Sequence, residues 1–103
     1  RLMASADALI HGCEAETFSM VAAEALASGL PIIVPDRGGA ADHALPGSGL
    51  HYAATDATSA AGAIRAFIDA RAPRPEPRAR TMTQHFDELF ALYEACAEGR
   101  AAA

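Results

Sequence analysis

The stretch Phe18-Ser19-Met20-Val21-Ala22-Ala23-Glu24-Ala25-Leu26-Ala27-Ser28-Gly29-Leu30-Pro31-Ile32-Ile33-Val34 decides the fold of this chain. Phe18 to Ser28 contains neither Gly nor Pro and is rich in Ala, so it is read as a helix. Gly29 stands where a helix ends in the left-handed region. Pro31 then introduces Ile32, Ile33 and Val34. This β-branched run without polar alternation is the pattern of a strand covered on both faces. A helix that feeds such a strand within a few residues belongs to a right-handed crossover between parallel strands.

Working outward, Leu2 to Ala6 reads as the end of a helix, and Ala8, Leu9 and Ile10 as a short strand. His11 to Thr17 is a polar turn between that strand and the Phe18 helix. Beyond Val34, Asp36-Arg37-Gly38-Gly39 forms a tight loop. A short helix from Ala40 to Leu45 ends at Pro46-Gly47, and Leu50 to Ala53 is a weak third strand. Thr55 or Thr58 is expected to cap the next helix, which runs to about Ala70 with Ala60, Ala61, Ile64, Phe67 and Ile68 at helical spacing. Pro73, Pro75 and Pro77 then alternate with Arg74, Glu76 and Arg78, which reads as an extended, solvated crossing. A last amphipathic helix carries Phe86, Leu89, Phe90, Tyr93 and Cys96 on one stripe.

The alternation of strand and helix gives an α/β class: a Rossmann-like parallel sheet with flanking helices. Only three strands are visible, so the pattern reads as the second half of a doubly wound sheet, with the first half expected before Arg1. The expected division is a partial binding domain over residues 1–72, a Pro/Arg linker over 73–80, the amphipathic helix over 81–98 and a fraying tail over 99–103.

Charge excludes some functions. The chain has 103 residues and a formal net charge of −5, which argues against a nucleic-acid grip. All basic residues are Arg, and four of them, Arg71, Arg74, Arg78 and Arg80, fall in one short segment. That segment reads first as a solvated linker, with an anionic-lipid patch as the alternative. No apolar run approaches the roughly 20 residues that span a bilayer, and the opening RLMASAD lacks the apolar core of a signal peptide. The expected location is therefore the cytoplasm, with peripheral association at the inner face of the membrane left open. Cys13 and Cys96 form no metal-binding or CxxC pattern and read as two reduced thiols.

The Phe18 helix also carries the candidate chemistry. Met20, Val21, Ala22, Ala23, Ala25, Leu26 and Ala27 leave almost no polar face, so the helix is expected to be buried nearly all round. Glu24 in its middle then needs a partner, and a ligand bearing hydroxyl donors would serve. The first-turn N–H groups lack intrahelical acceptors and lie at the positive end of the helix dipole. They follow a strand's carboxyl end, where open α/β sheets bind ligands, and phosphate oxygens fit there without a lysine. From Phe18 to Glu24 is about 9 Å at the helical rise, the span of a diphosphate.

Glu16-Thr17-Phe18-Ser19-Met20-Val21-Ala22-Ala23-Glu24 resembles the E-x7-E motif of retaining GT-B glycosyltransferases, the group 1 or GT4-like family. Ser5-Ala6-Asp7 before the strand, Glu24-Ala25-Leu26-Ala27-Ser28-Gly29-Leu30-Pro31, and the Gly38-Gly39 loop are similar to that family's carboxyl-terminal domain. The resemblance covers roughly Leu2 to Ile68, and the last helix is similar to the family's closing helix.

The resemblance implies a donor-binding portion that serves transfer of a hexose from a nucleotide-diphosphate sugar to a glycan or glycolipid. Mannose and glucose are the commonest sugars in the family. It assigns Glu16 to the donor sugar's hydroxyls as the catalytic-site carboxylate and Glu24 to the ribose. Backbone N–H groups of Phe18, Ser19, Met20 and Val21 fall to the diphosphate and sugar. It implies no metal and no cofactor beyond the donor substrate. The chain departs from the family at Ser19, where Gly is usual, and at Asp42, where Glu is often found. The family's basic pair and its acceptor-binding domain have no counterpart here, so little or no activity is expected of the chain alone.

Bland readings stand beside these. His11 reads first as a loop histidine satisfied by backbone, with a side chain pointed at a substrate as the alternative; Cys13 reads as inert, and Gly38 and Gly39 as turn glycines with a secondary donor-site role. A non-catalytic α/β module remains the alternative, binding a nucleotide or self-associating through an open sheet edge near Leu9 or through the last helix. A GT-B-like epimerase is a third reading.

Overall fold

The computed structural model describes residues 2–102, with side chains through residue 99. In chain order the elements are α1 (Leu2–Ser5), β1 (Leu9–Ile10), α2 (Met20–Ala27), β2 (Ile32–Pro35), a 3-10 turn (Ala41–His43), β3 (Gly49–Tyr52), α3 (Ala57–Ala70) and α4 (Met82–Ala102). The strands form one parallel sheet in the order β1-β2-β3, with Leu9 opposite Ile32 and Ile33 opposite Leu50. This is the α/β arrangement that the helix–Gly–strand pattern implies.

β2 is central and buried at every position. Ile32 and Val34 join Ala22, Ala25, Leu26 and Leu30 in a single apolar cluster, which Met3, Ala6 and Leu9 border. Burying Leu30, Ile32 and Val34 contributes roughly 1.5–3 kcal/mol each. Ile33, the alternate residue, is equally buried and falls on the opposite face of the sheet. The end of α2 explains the tight connection to β2. Gly29 takes φ +71°. Its N–H donates to Leu26 O at 3.1 Å, and Leu30 N–H donates to Ala25 O at 2.9 Å. This is the paired closing bond of a Schellman end.

Several expectations are corrected. The helix runs over eight residues rather than from Phe18 to Ser28, and it is not buried all round. Glu24, Met20 and Ala27 are exposed, while only Ala22, Ala25 and Leu26 are buried. Small alanines let one face of α2 sit close on the sheet, while the other face lines an open groove. The Ala40–Leu45 helix reduces to the 3-10 turn. Asp56, not Thr55 or Thr58, caps α3, its Oδ1 accepting from Ser59 N–H at 3.0 Å. Ala60, Ala63, Ile64 and Phe67 are half-buried, whereas Ala61 and Ile68 face outward.

The Pro/Arg segment has no regular structure from 71 to 81 and is exposed at every residue but Pro75, as a solvated crossing should be, but it is also pinned as a strap. Arg74 donates to Ala6 O at 2.8 Å, Met3 O at 3.5 Å and Ser28 O at 3.4 Å. One guanidinium thus serves the carbonyl ends of both α1 and α2, where orphan acceptors and the negative dipole end coincide. Arg78 N–H donates to Leu26 O at 2.8 Å and its Nη2 to His43 O at 2.9 Å. Arg80 pairs with Glu88. Three of the four clustered arginines are therefore engaged within the chain, though only Arg80 meets a carboxylate.

Helix α4 runs on through Gly99 to Ala102, where the sequence suggested a fraying tail. Its stripe does not pack on the body: Phe86, Phe90 and Tyr93 are exposed and meet one another along the helix, with ring centroids 6.0 and 6.4 Å apart. The radius of gyration is 16.7 Å, against about 13 Å for a compact chain of 100 residues. Cys13 and Cys96 are free and exposed. Among the described residues, no helix is long and apolar enough to cross a membrane.

Candidate functional site

The site is built on the irregular segment from His11 to Ser19, between β1 and α2. Short strands give this loop little to hang on, so its shape comes from the Asp36–Gly39 loop beneath it. Gly39 N–H donates to Glu16 O at 2.7 Å. A Cβ at Gly39 would fall on the Thr17 carbonyl and 2.5 Å from Phe18 N, and one at Gly38, where φ is +88°, would overlap Glu14 O. These are close-approach glycines, two backbones packed without side chains between them, rather than turn residues alone. An exposed Arg37–Glu14 pair at 3.1 Å joins the same two loops and contributes about 0–1 kcal/mol.

Ser19 ends the loop and caps α2. It is 3% exposed, has φ +68°, and its Oγ accepts from Ala22 N–H at 3.4 Å. A left-handed Ser is strained, which is the physical content of the departure at this position: the backbone is one that Gly adopts freely. The hydroxyl is used for capping. Ala23 N–H donates to Ser19 O. Among the described residues, the N–H groups of Phe18, Met20 and Val21 meet no acceptor. The helix entry therefore carries unpaired donors of the kind that suit an anionic ligand.

Phe18 is held from below by His43. The ring meets the imidazole edge-on with centroids 4.7 Å apart, and His43 Nε2 lies 2.6 Å from Phe18 O. A groove of about 660 Å³ begins here, within the ~300–1,000 Å³ range of small-ligand sites. Phe18, Met20 and Glu24 form one wall, and Arg78, Arg80 and Gln84 the other. Glu24 thus faces a shaped space in company with cations, although it is not the buried carboxylate that the sequence suggested.

Glu16 does not line this groove. It sits in the loop on the β1 side, half-buried, with Oε1 3.3 Å from Nε2 of His11. The structure therefore brings Phe18, Met20 and Glu24 together, buries Ser19 below them, half-buries Val21, and places Glu16 with His11 apart from them. His43, Arg78 and Gln84 were missed as groove residues. Only the Arg71–Arg80 cluster signalled any of them, and it pointed to solvent. His11 was misread: its N–H donates to Ile33 O at 2.9 Å, but its ring turns to Glu16. Behind the loop, the Tyr52 hydroxyl donates to His11 O at 2.6 Å, and burial pushes the Tyr52 phenol above its ordinary pKa of 10.0.

The helix entry thus lies at the carboxyl end of a parallel sheet, with a carboxylate in the entry loop and another one helical span further on, the place in an α/β fold where anionic ligands are commonly taken. Comparison with known proteins gives this arrangement a family. The family model for glycosyl transferases group 1 matches residues 1–84, and the chain belongs to that family. It is 36% identical over 99 residues to a GDP-mannose-dependent alpha-mannosyltransferase of Mycolicibacterium smegmatis, covering 89% of this chain and 26% of that protein. A protein of the same description from Mycobacterium tuberculosis is 56% identical over 43 residues, covering 42% of this chain and 11% of the relative. The chain thus spans at most about a quarter of the length of these relatives. No solved structure matches the chain.

Proposed function

We propose that this chain is the donor-binding portion of a retaining glycosyltransferase that moves a hexose from a nucleotide-diphosphate sugar to a glycan or glycolipid acceptor. The observation that carries the reading is the open entry of α2, with Phe18, Met20 and Glu24 on one groove wall and Glu16 in the loop that leads to it. Donors in the first turn suit a diphosphate, and a carboxylate accepts from vicinal hydroxyls. Glu24 is assigned to the ribose and Glu16 to the sugar. The relatives' description as GDP-mannose-dependent favours GDP-mannose as the donor. Positive groups and N–H dipoles would stabilise the leaving diphosphate without a metal. The acceptor falls to the rest of the enzyme, so the chain alone has little or no transferase activity. The reading is a cytoplasmic one, and the arginines that suggested a membrane patch are engaged at carbonyls and at Glu88.

Calorimetric titration with GDP-mannose and UDP-glucose tests the proposal. Wild type is expected to bind GDP-mannose, and E24A to bind it about tenfold or more weakly, the scale of a hydrogen bond to a charged group. E24A should unfold within about 0.5 kcal/mol of wild type, because Glu24 is exposed. Unchanged affinity in E24A would remove Glu24 from the donor site. Robust sugar transfer by the isolated chain would overturn the assignment of half the active site to other segments.

A second reading rests on the uncovered Phe86–Phe90–Tyr93 stripe: a non-catalytic module that pairs with another copy of itself. Light scattering that shows a monomer from low to high concentration would remove it.

A further inference from the structure

His11 and Glu16 form a contact that neither the E-x7-E spacing nor the comparisons assign. Nε2 of His11 is out of solvent and has no aligned hydrogen-bond partner among the described residues. The nearest opposite group is Glu16 Oε1 at 3.3 Å, and the two side chains are 13% and 31% exposed. An orphaned ring nitrogen in a native loop calls for an explanation. The backbone on both sides is fixed. His11 N–H and C=O are taken by Ile33 O and the Tyr52 hydroxyl, and Glu16 O is taken by Gly39 N–H. Only the side chains have freedom to adjust, and the 3.3 Å separation is already within hydrogen-bond reach.

We propose that His11 is a positioning residue for Glu16: its Nε2–H holds Oε1 and leaves Oε2 to accept a hydroxyl of the donor sugar. The tautomer follows from the neighbour, because a lone pair on Nε2 would face the lone pairs of a carboxylate. A proton there satisfies the buried nitrogen and removes one rotational choice from the carboxylate. Glu14 and Arg37 neutralise each other at the outer edge of the loop, so the imidazole is the cation or donor closest to Glu16. The inference rests on the reading of Glu16 as a donor-sugar ligand.

The test uses the 103-residue chain and two readouts. In long-range proton–nitrogen NMR spectra of the histidine rings without ligand, E16Q is expected to shift the Nε2 resonance of His11 and leave those of His43 and His51 in place. In GDP-mannose titrations, H11Q, which keeps an N–H donor, is expected to bind within about threefold of wild type. H11F, which keeps bulk without the donor, is expected to bind about tenfold more weakly. Equal binding by H11F and wild type, or a His11 ring indifferent to E16Q, overturns the proposal. If wild type binds no donor, the functional reading fails and takes the sugar-positioning role with it, while the ring spectra still decide whether His11 and Glu16 are coupled.

Discussion

Two irregular segments, 11–19 and 71–81, carry much of what is particular to this chain, and opposite means hold them in place. The first is fixed by backbone lying against backbone, with Gly38 and Gly39 clearing the way for Glu14 to Phe18. The second is fixed by long side chains reaching carbonyls: Arg74 at the ends of α1 and α2, Arg78 at His43. Close packing without side chains gives a stiff loop, suited to holding a carboxylate and a row of N–H groups in register. Arginine tethers are separable, each worth about one exposed hydrogen bond, and suit a strap laid across finished helix ends.

That contrast fails first, if it fails, at the glycines. G39A should destabilise the chain by at least about 3 kcal/mol in urea unfolding, because its Cβ has only the Thr17–Phe18 backbone to displace. A midpoint equal to wild type would mean that the two loops are not in close contact. R74A should cost less, about 1–2 kcal/mol for its carbonyl contacts. R74K should recover only part of this, since an ammonium cannot reproduce the forked reach. A loss in R74A as large as in G39A would erase the distinction between the segments.

Smaller effects sharpen the picture. S19G should stabilise by about 0.5–1.5 kcal/mol, since glycine removes the left-handed strain and costs only a few tenths in capping. Destabilisation instead would show that the Ser19 hydroxyl does more than cap. The smallest effect lies at high pH. Burial raises the Tyr52 phenol above 10.0, so the fold favours its neutral form. The associated stability is fully present below pH 10 and is lost as pH rises through the folded value. Denaturant midpoints of wild type should fall faster above pH 10 than those of Y52F, and parallel curves would detach Tyr52 from the loop.

The frame that follows the first segment was legible in sequence, and little of the second segment was. Gly29 and the Ile32–Val34 run announce a helix stop and a central strand through local rules, and both are as expected. Glu16, Phe18 and Glu24 are visible as a spacing. What their spacing does not disclose is burial. Seven apolar residues around Glu24 suggest an enclosed helix, but alanines are small enough to pack on one side and leave the other open. Arg74 is opaque for a different reason: its main acceptor, Ala6 O, lies 68 residues away, and no local pattern marks a side chain whose partners are carbonyls. The cap of α3 shows the limit of propensity, since Thr55, Asp56 and Thr58 all qualify and geometry selects Asp56.

The most direct test of the account is a residue-resolved NMR titration of the chain with GDP-mannose. Saturable shifts are expected at the amides of Phe18, Met20, Val21 and Glu24, with Arg74 and its neighbours in the strap unmoved. Silence at the α2 entry at saturating donor, or shifts centred on residues 71–76 at the far end of the strap from the groove, would contradict the account.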